Sequence, residues 1–118
     1  MSYQWELSDE AKEALNQQLI WYETDDRRGG AELADRWLEG FEKSCEQLVL
    51  NPLQHPFAPE NGKWQPKVVI RQMLFRPWKA KAGWRVLYTV DQRAKLVSVL
   101  QIRHEHRRWL HESKGEGA

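Results

Sequence analysis

The sequence predicts an α+β domain: an N-terminal strand and a helical hairpin packed on one face of a mainly antiparallel sheet. Three observations predict it. Two stretches with apolar residues at helical spacing follow each other across a short break. Three β-rich stretches then follow without an intervening helical pattern. Helices and strands segregated in this way build a sheet with its helices on one side. At 118 residues the chain is read as a single domain over 1–118, with the Gly-rich tail from about 113 expected to be disordered.

"YQWEL" alternates large and polar residues and reads as a short first strand. Ser8 follows as a helix N-cap, with Asp9 and Glu10 in the first turn, where the helix dipole favours acids. Ala11, Ala14, Leu15, Leu19 and Tyr22 then recur at helical spacing until "TDDRRGG" breaks the pattern. Ala34, Trp37, Leu38, Phe41, Cys45 and Leu48 form the apolar stripe of a second helix, expected to end at Asn51-Pro52. "NPLQHPFAPENGKWQP" carries four prolines and is expected to be an irregular loop, either functional or a lid over the core. "KVVIRQMLF", "WRVLYTV" and "KLVSVLQIR" read as three strands, the last two joined as a hairpin through "VDQRAK".

The formal net charge of +1 hides an asymmetry. Acids dominate up to Pro66, whereas Asp91 and Glu105 are the only acids between Lys67 and Arg108. A basic back half points to an anionic partner, or to acids and bases complementing each other within the fold. A single cysteine, Cys45, excludes an internal disulfide, suits a reducing cytoplasm, and at its helical spacing reads as a small core residue. No apolar run is long enough for a membrane span and no signal segment opens the chain, so a cytoplasmic protein without membrane contact is expected. His104 and His106 lie two apart with no cysteine pair nearby, and Gly-rich phosphate loops and serine elbows are absent. No metal or cofactor is therefore expected.

Side chains alternate across a strand, so Trp84, Val86, Tyr88 and Val90 share one face, and Arg85, Leu87 and Thr89 the other. In the last strand the same parity groups Leu96, Leu100 and Ile102 against Val97, Val99, Gln101 and Arg103. With the more apolar sets on the helices, Arg85 and Arg103 both stand on an uncovered face. Largely exposed, either should be removable for less than about 0.5 kcal/mol of stability.

The helical hairpin ending in "LVLNP", the basic loop "RPWKAKAG", and the strands "WRVLYTVD" and "VSVLQIRHEHRR" together resemble the RelE/ParE superfamily of bacterial toxins from type II toxin–antitoxin pairs. The resemblance implies a growth-inhibiting toxin and a cognate antitoxin partner. In the ribonuclease branch it implies a metal-independent, RNA-binding endoribonuclease (a hydrolase class) that cuts mRNA on the ribosome, and this is the leading expectation. Two alternatives are a DNA gyrase-binding inhibitor of the ParE type and an inactive, antitoxin-binding member. In the ribonuclease branch the strand arginine matches Arg85 and the arginine closing the last strand matches Arg103. The paired lysines resemble Lys79 and Lys81, and the C-terminal histidines of some members could be supplied by His104 and His106. The chain departs from the pattern in its long proline-rich 51–66 loop and in lacking a clear C-terminal tyrosine.

The residue types fit that chemistry. Metal-free RNA cleavage needs a base at the 2′-hydroxyl, cations at the phosphorane and an acid at the leaving oxygen. Arg85 and Arg103 could serve the phosphorane through their planar forks. His104 and His106 are the candidate proton carriers. Arg76, Lys79, Lys81 and Arg107 are candidate substrate-binding residues, because phosphate contacts use such cations. Solvated strand-end cations are the alternative for the lysines. His104 by its parity could instead be a core residue, and His106 could lie beyond the strand. His55 and His111 read as bystanders. Of seven tryptophans, Trp5, Trp21, Trp37 and Trp84 fit the core, while Trp64, Trp78 and Trp109 suit core, partner contact or base stacking.

Overall fold

The computed structural model describes residues 3–24, 30–64, 67–78 and 83–105. Six elements follow in order: β1 (Gln4–Leu7), α1 (Asp9–Glu23), α2 (Gly30–Leu48), β2 (Arg71–Phe75), β3 (Trp84–Asp91) and β4 (Leu96–His104). One four-stranded sheet has the order β1-β4-β3-β2. β2, β3 and β4 form the antiparallel meander, and β1 adds to β4 in parallel. The expected α+β architecture is therefore the observed one.

Local chemistry sets each boundary. Ser8 caps α1, its hydroxyl oxygen accepting from the Ala11 N–H at 3.1 Å while its O–H donates to the Leu100 carbonyl at 2.9 Å. One residue thus satisfies a helix end and ties it to the sheet. α2 places Ala34, Trp37, Phe41, Cys45 and Leu48 on a single buried stripe. Those side chains meet Met73, Phe75, Trp84, Val86, Tyr88, Val97, Val99 and Ile102 from the sheet. Trp37 stacks on Phe41 at 5.6 Å and meets Phe75 and Trp84 edge-on. Burying each such large side chain contributes roughly 1.5–3 kcal/mol, so this layer carries most of the fold's stability. In the β3–β4 turn the Asp91 carboxylate accepts from the N–H groups of Arg93 and Ala94, and Lys95 turns the chain at φ 54°.

Four expectations are corrected. The first strand of the meander is only Arg71–Phe75, because residues before it serve the loop instead. α2 stops at Leu48, short of Asn51-Pro52. Trp21 is 48% exposed and lies outside the core, whereas Trp5 packs edge-on against Phe41 at its margin. The fourth concerns parity. Leu87 pairs with Gln101 but Tyr88 pairs with Val99, so Leu100 is an extra, bulged residue in β4. The bulge flips everything before it: Val97 and Val99 face the helices with Ile102, and Leu100 faces the other side.

Candidate functional site

The sheet face away from the helices is covered. Residues 52–57 pass round the β2 edge, where Phe57 bridges to Arg71, and residues 58–64 cross that face, the whole segment forming an irregular lid. Ala58, Ile70 and Leu87 form a second, smaller buried cluster there, with Trp64, Val68 and Leu100 packed around it. The lid is stitched down by single hydrogen bonds. Ala58 N–H donates to the Ile70 carbonyl at 2.9 Å and Gln72 N–H to the Pro56 carbonyl at 3.0 Å. Ile70 N–H donates to Asn61 Oδ1 at 2.9 Å. Arg71 Nη1 donates to the His55 carbonyl at 2.6 Å and stacks over the Phe57 ring at 4.4 Å. At the lid's start the buried Tyr88 hydroxyl donates to the Pro52 carbonyl at 2.6 Å, and burial pushes its pKa up to about 12. His55 stands edge-on to Tyr88 as part of the lid's anchorage. Burial, and secondarily the Arg71 charge, lower its pKa.

The lid decides the fate of the two strand arginines. β3 and β4 bring Arg85 and Arg103 directly opposite each other in register, as the shared face predicts. They are not exposed: Arg85 is 4% and Arg103 8% accessible. Glu60, itself fully buried, meets Arg85 fork to fork. Arg85 Nη1 donates to Oε1 at 2.9 Å and Nη2 to Oε2 at 2.8 Å. Gln72 Oε1 takes a further bond from Nη1 at 3.2 Å. A lone arginine could not persist at this depth; a bidentate carboxylate offsets the cost of removing it from water. The expected exposure is therefore corrected, and for Arg85 the physical reason is that the proline-rich loop supplies a buried counter-ion. The residue that sequence reasoning missed is Glu60. Its signal in the sequence was being the single acid of the proline-rich stretch from Asn51 to Pro66.

His104 follows the parity that points it toward the helices. It pairs with Trp84 across the strands, their rings edge-on at 5.4 Å, away from the arginines. With Ala14, Gln17, Gln18, Trp84 and Ile102 it lines a cavity of about 160 Å³ between α1 and the sheet. A shared catalytic centre with Arg85 and Arg103 would require it on the opposite face. Arg76 is exposed and pairs with Glu105 at 3.2 Å. The other Glu105 oxygen accepts from the Gly83 N–H at 2.5 Å, and Glu105 N–H donates to the Gly83 carbonyl at 2.9 Å. Glu105 thus clamps both ends of the loop between β2 and β3. Lys79, Lys81, His106 and Arg107 lie outside the described residues, as does Trp109. Trp78 is partly buried, its indole N–H donating to the Tyr22 hydroxyl at 3.2 Å, and Trp64, at the end of the lid, packs against the smaller buried cluster, so both contact the fold itself.

Among the described residues no group of three or more His, Cys, Asp or Glu side chains could hold a metal ion, and no helix is long and apolar enough to cross a membrane.

Comparison with known proteins places the chain in a family. The model of the ParE toxin of the type II toxin–antitoxin system, parDE, matches residues 6–109. Among solved structures, the chain is similar to one in the archaeal RelE–RelB complex from Pyrococcus horikoshii OT3. That similarity has 16% identity and a TM-score of 0.43, covering 92% of this chain and 100% of the other. No curated protein matches in sequence. The matched span takes in every element from the end of β1 to the end of β4, and the chain belongs to the ParE toxin family of type II toxin–antitoxin systems, within the RelE/ParE superfamily.

Proposed function

We propose that this toxin disables its target by binding it, in the manner of the gyrase-inhibiting branch, and does not cut mRNA in the folded state described here. The observation that carries this reading is the buried Glu60–Arg85 pair. A nuclease of the expected kind needs Arg85 to meet a phosphorane, yet both of its terminal nitrogens are engaged by Glu60 and Gln72 beneath the lid. The candidate proton carrier His104 stands on the other face of the sheet. A binding inhibitor needs neither feature. The family supplies the other partner, an antitoxin that neutralises the toxin until it is released.

Two assays on brief expression separate the readings. Gyrase supercoiling of relaxed plasmid should fall with added toxin, and primer extension should show intact cellular mRNA. In-frame cuts in mRNA, with supercoiling unaffected, would move the protein to the nuclease branch. Co-expression with the neighbouring small open reading frame should restore growth and yield a stable complex.

A further inference from the structure

The lid is more than a cover, because of what it places on Arg85. A carboxylate and a phosphate present the same pair of oxygens to a guanidinium fork. Glu60 occupies both terminal nitrogens, and Arg85 Nε remains buried with no hydrogen-bond partner, so the guanidinium has a donor that Glu60 does not use. Arg103, also buried, stands directly across the sheet from it. Most of the main core lies apart from the lid. Fifteen buried residues pack between helices and sheet, of which Tyr88 meets the lid's start at Pro52 and His55, whereas the lid's own Ala58 closes over Ile70 and Leu87. No helix and no named strand lies within residues 52–64.

We propose that residues 52–64 form a self-inhibitory lid in which Glu60 holds the seat of a phosphate group on Arg85, and that a ligand bearing a phosphodiester displaces it and opens the lid. Energetic balance favours an exchange of this kind. A buried ion pair contributes little net stability, since desolvation offsets attraction, but leaving one partner alone is costly. Opening without a ligand is therefore rare, and an anion that replaces the carboxylate removes the ion-pair part of the cost, leaving the lid's hydrogen bonds and small apolar cluster to be offset by the ligand's other contacts. A ligand shifts such an equilibrium only by binding the open form better, and the covered arginines provide that difference. The inference concerns binding and not cleavage, so it holds whichever target the toxin takes.

The test compares the wild-type chain with Glu60→Gln, which keeps size and removes charge. The probe is a fluorescent single-stranded oligonucleotide at low salt, with inorganic phosphate as competitor. Glu60→Gln should bind the oligonucleotide at least tenfold more tightly than wild type, and the added substitution Arg85→Gln should remove that gain. Competition by inorganic phosphate identifies a lone phosphate group as sufficient; no competition identifies the polymer backbone as the ligand. A Glu60→Gln protein that melts cooperatively and binds no better than wild type overturns the lid. Should that variant fail to fold, amide exchange in the wild-type protein decides. The Ala58 and Gln72 amides, which hold the lid, should exchange faster with oligonucleotide present; unchanged or slower exchange overturns the proposal. Gyrase inhibition plays no part in either measurement, so failure of the lid leaves the binding-inhibitor reading to be decided by its own supercoiling and primer-extension assays.

Discussion

Glu60 and Arg85 stand 25 residues apart in the chain and meet through two hydrogen bonds of 2.9 and 2.8 Å beneath the lid, neither side chain more than 5% accessible. This contact turns a strand residue that reads as a surface cation into the most deeply paired charge among the described residues.

Removing either partner should therefore destabilise strongly. Arg85→Ala takes the bidentate partner from the buried Glu60 carboxylate, and Glu60→Ala takes the carboxylate from the buried guanidinium; each should cost about 3–5 kcal/mol. Replacing both by methionine should cost markedly less than either single change, because no charge is left uncompensated. Urea unfolding of the three variants checks this. A cost for Arg85→Ala below about 1 kcal/mol would place the side chain in water after all. Loss of toxicity in Arg85→Ala is then interpretable only beside its melting curve.

Gly83 should tolerate no side chain. A Cβ there would come within 2.4 Å of the Phe75 carbonyl oxygen and 2.5 Å of Arg76 Cγ. The backbone oxygen cannot swing aside without breaking the β2–β3 ladder, so Gly83→Ala should cost at least about 1–3 kcal/mol. Thermal melting reads it directly. Glu105→Gln, which keeps an acceptor for the Gly83 N–H, should melt much nearer to wild type.

Acid should loosen the fold through His55. Its folded pKa lies below the ordinary 6.5, chiefly through burial and then through Arg71, so the unfolded chain takes up the proton first. The stabilisation is complete above 6.5 and is lost as the pH falls below 6.5 toward the folded value. His55→Gln should flatten that part of the stability–pH curve. A curve with the same slope in both proteins would assign the effect to another group.

Cys45 should be chemically silent in the native state. It is fully buried in the α2 stripe, and burial, followed by Glu42 and Glu46, pushes its thiol up to about 12. A thiol reagent at pH 8 should label it only at the rate of unfolding, and instantly in denaturant. Rapid labelling of native protein would show that α2 opens on its own.

The order of elements, the α2 stripe from Ala34 to Leu48 and the core positions of Trp37, Trp84 and Cys45 are legible in the sequence. These follow from periodicity and propensity, which act over a few residues at a time. So does the pairing of Arg85 with Arg103 on one face, since their strand parity survives from Gln101 onward. The fate of that face is not local. Whether a proline-rich loop stands away from a sheet or folds over it depends on Tyr88 reaching Pro52, Arg71 reaching His55 and Glu60 reaching Arg85, contacts 36, 16 and 25 residues apart. The bulge at Leu100 is decided the same way. It lets Val97 and Val99 fill the helical core while Arg103 keeps to the lid side, a compromise between two packed faces. Sequence alone determined which residues form the sheet and which cations it carries; only tertiary packing decided that one of those cations is buried against a carboxylate, because burial and counter-ion are properties of the assembled layers.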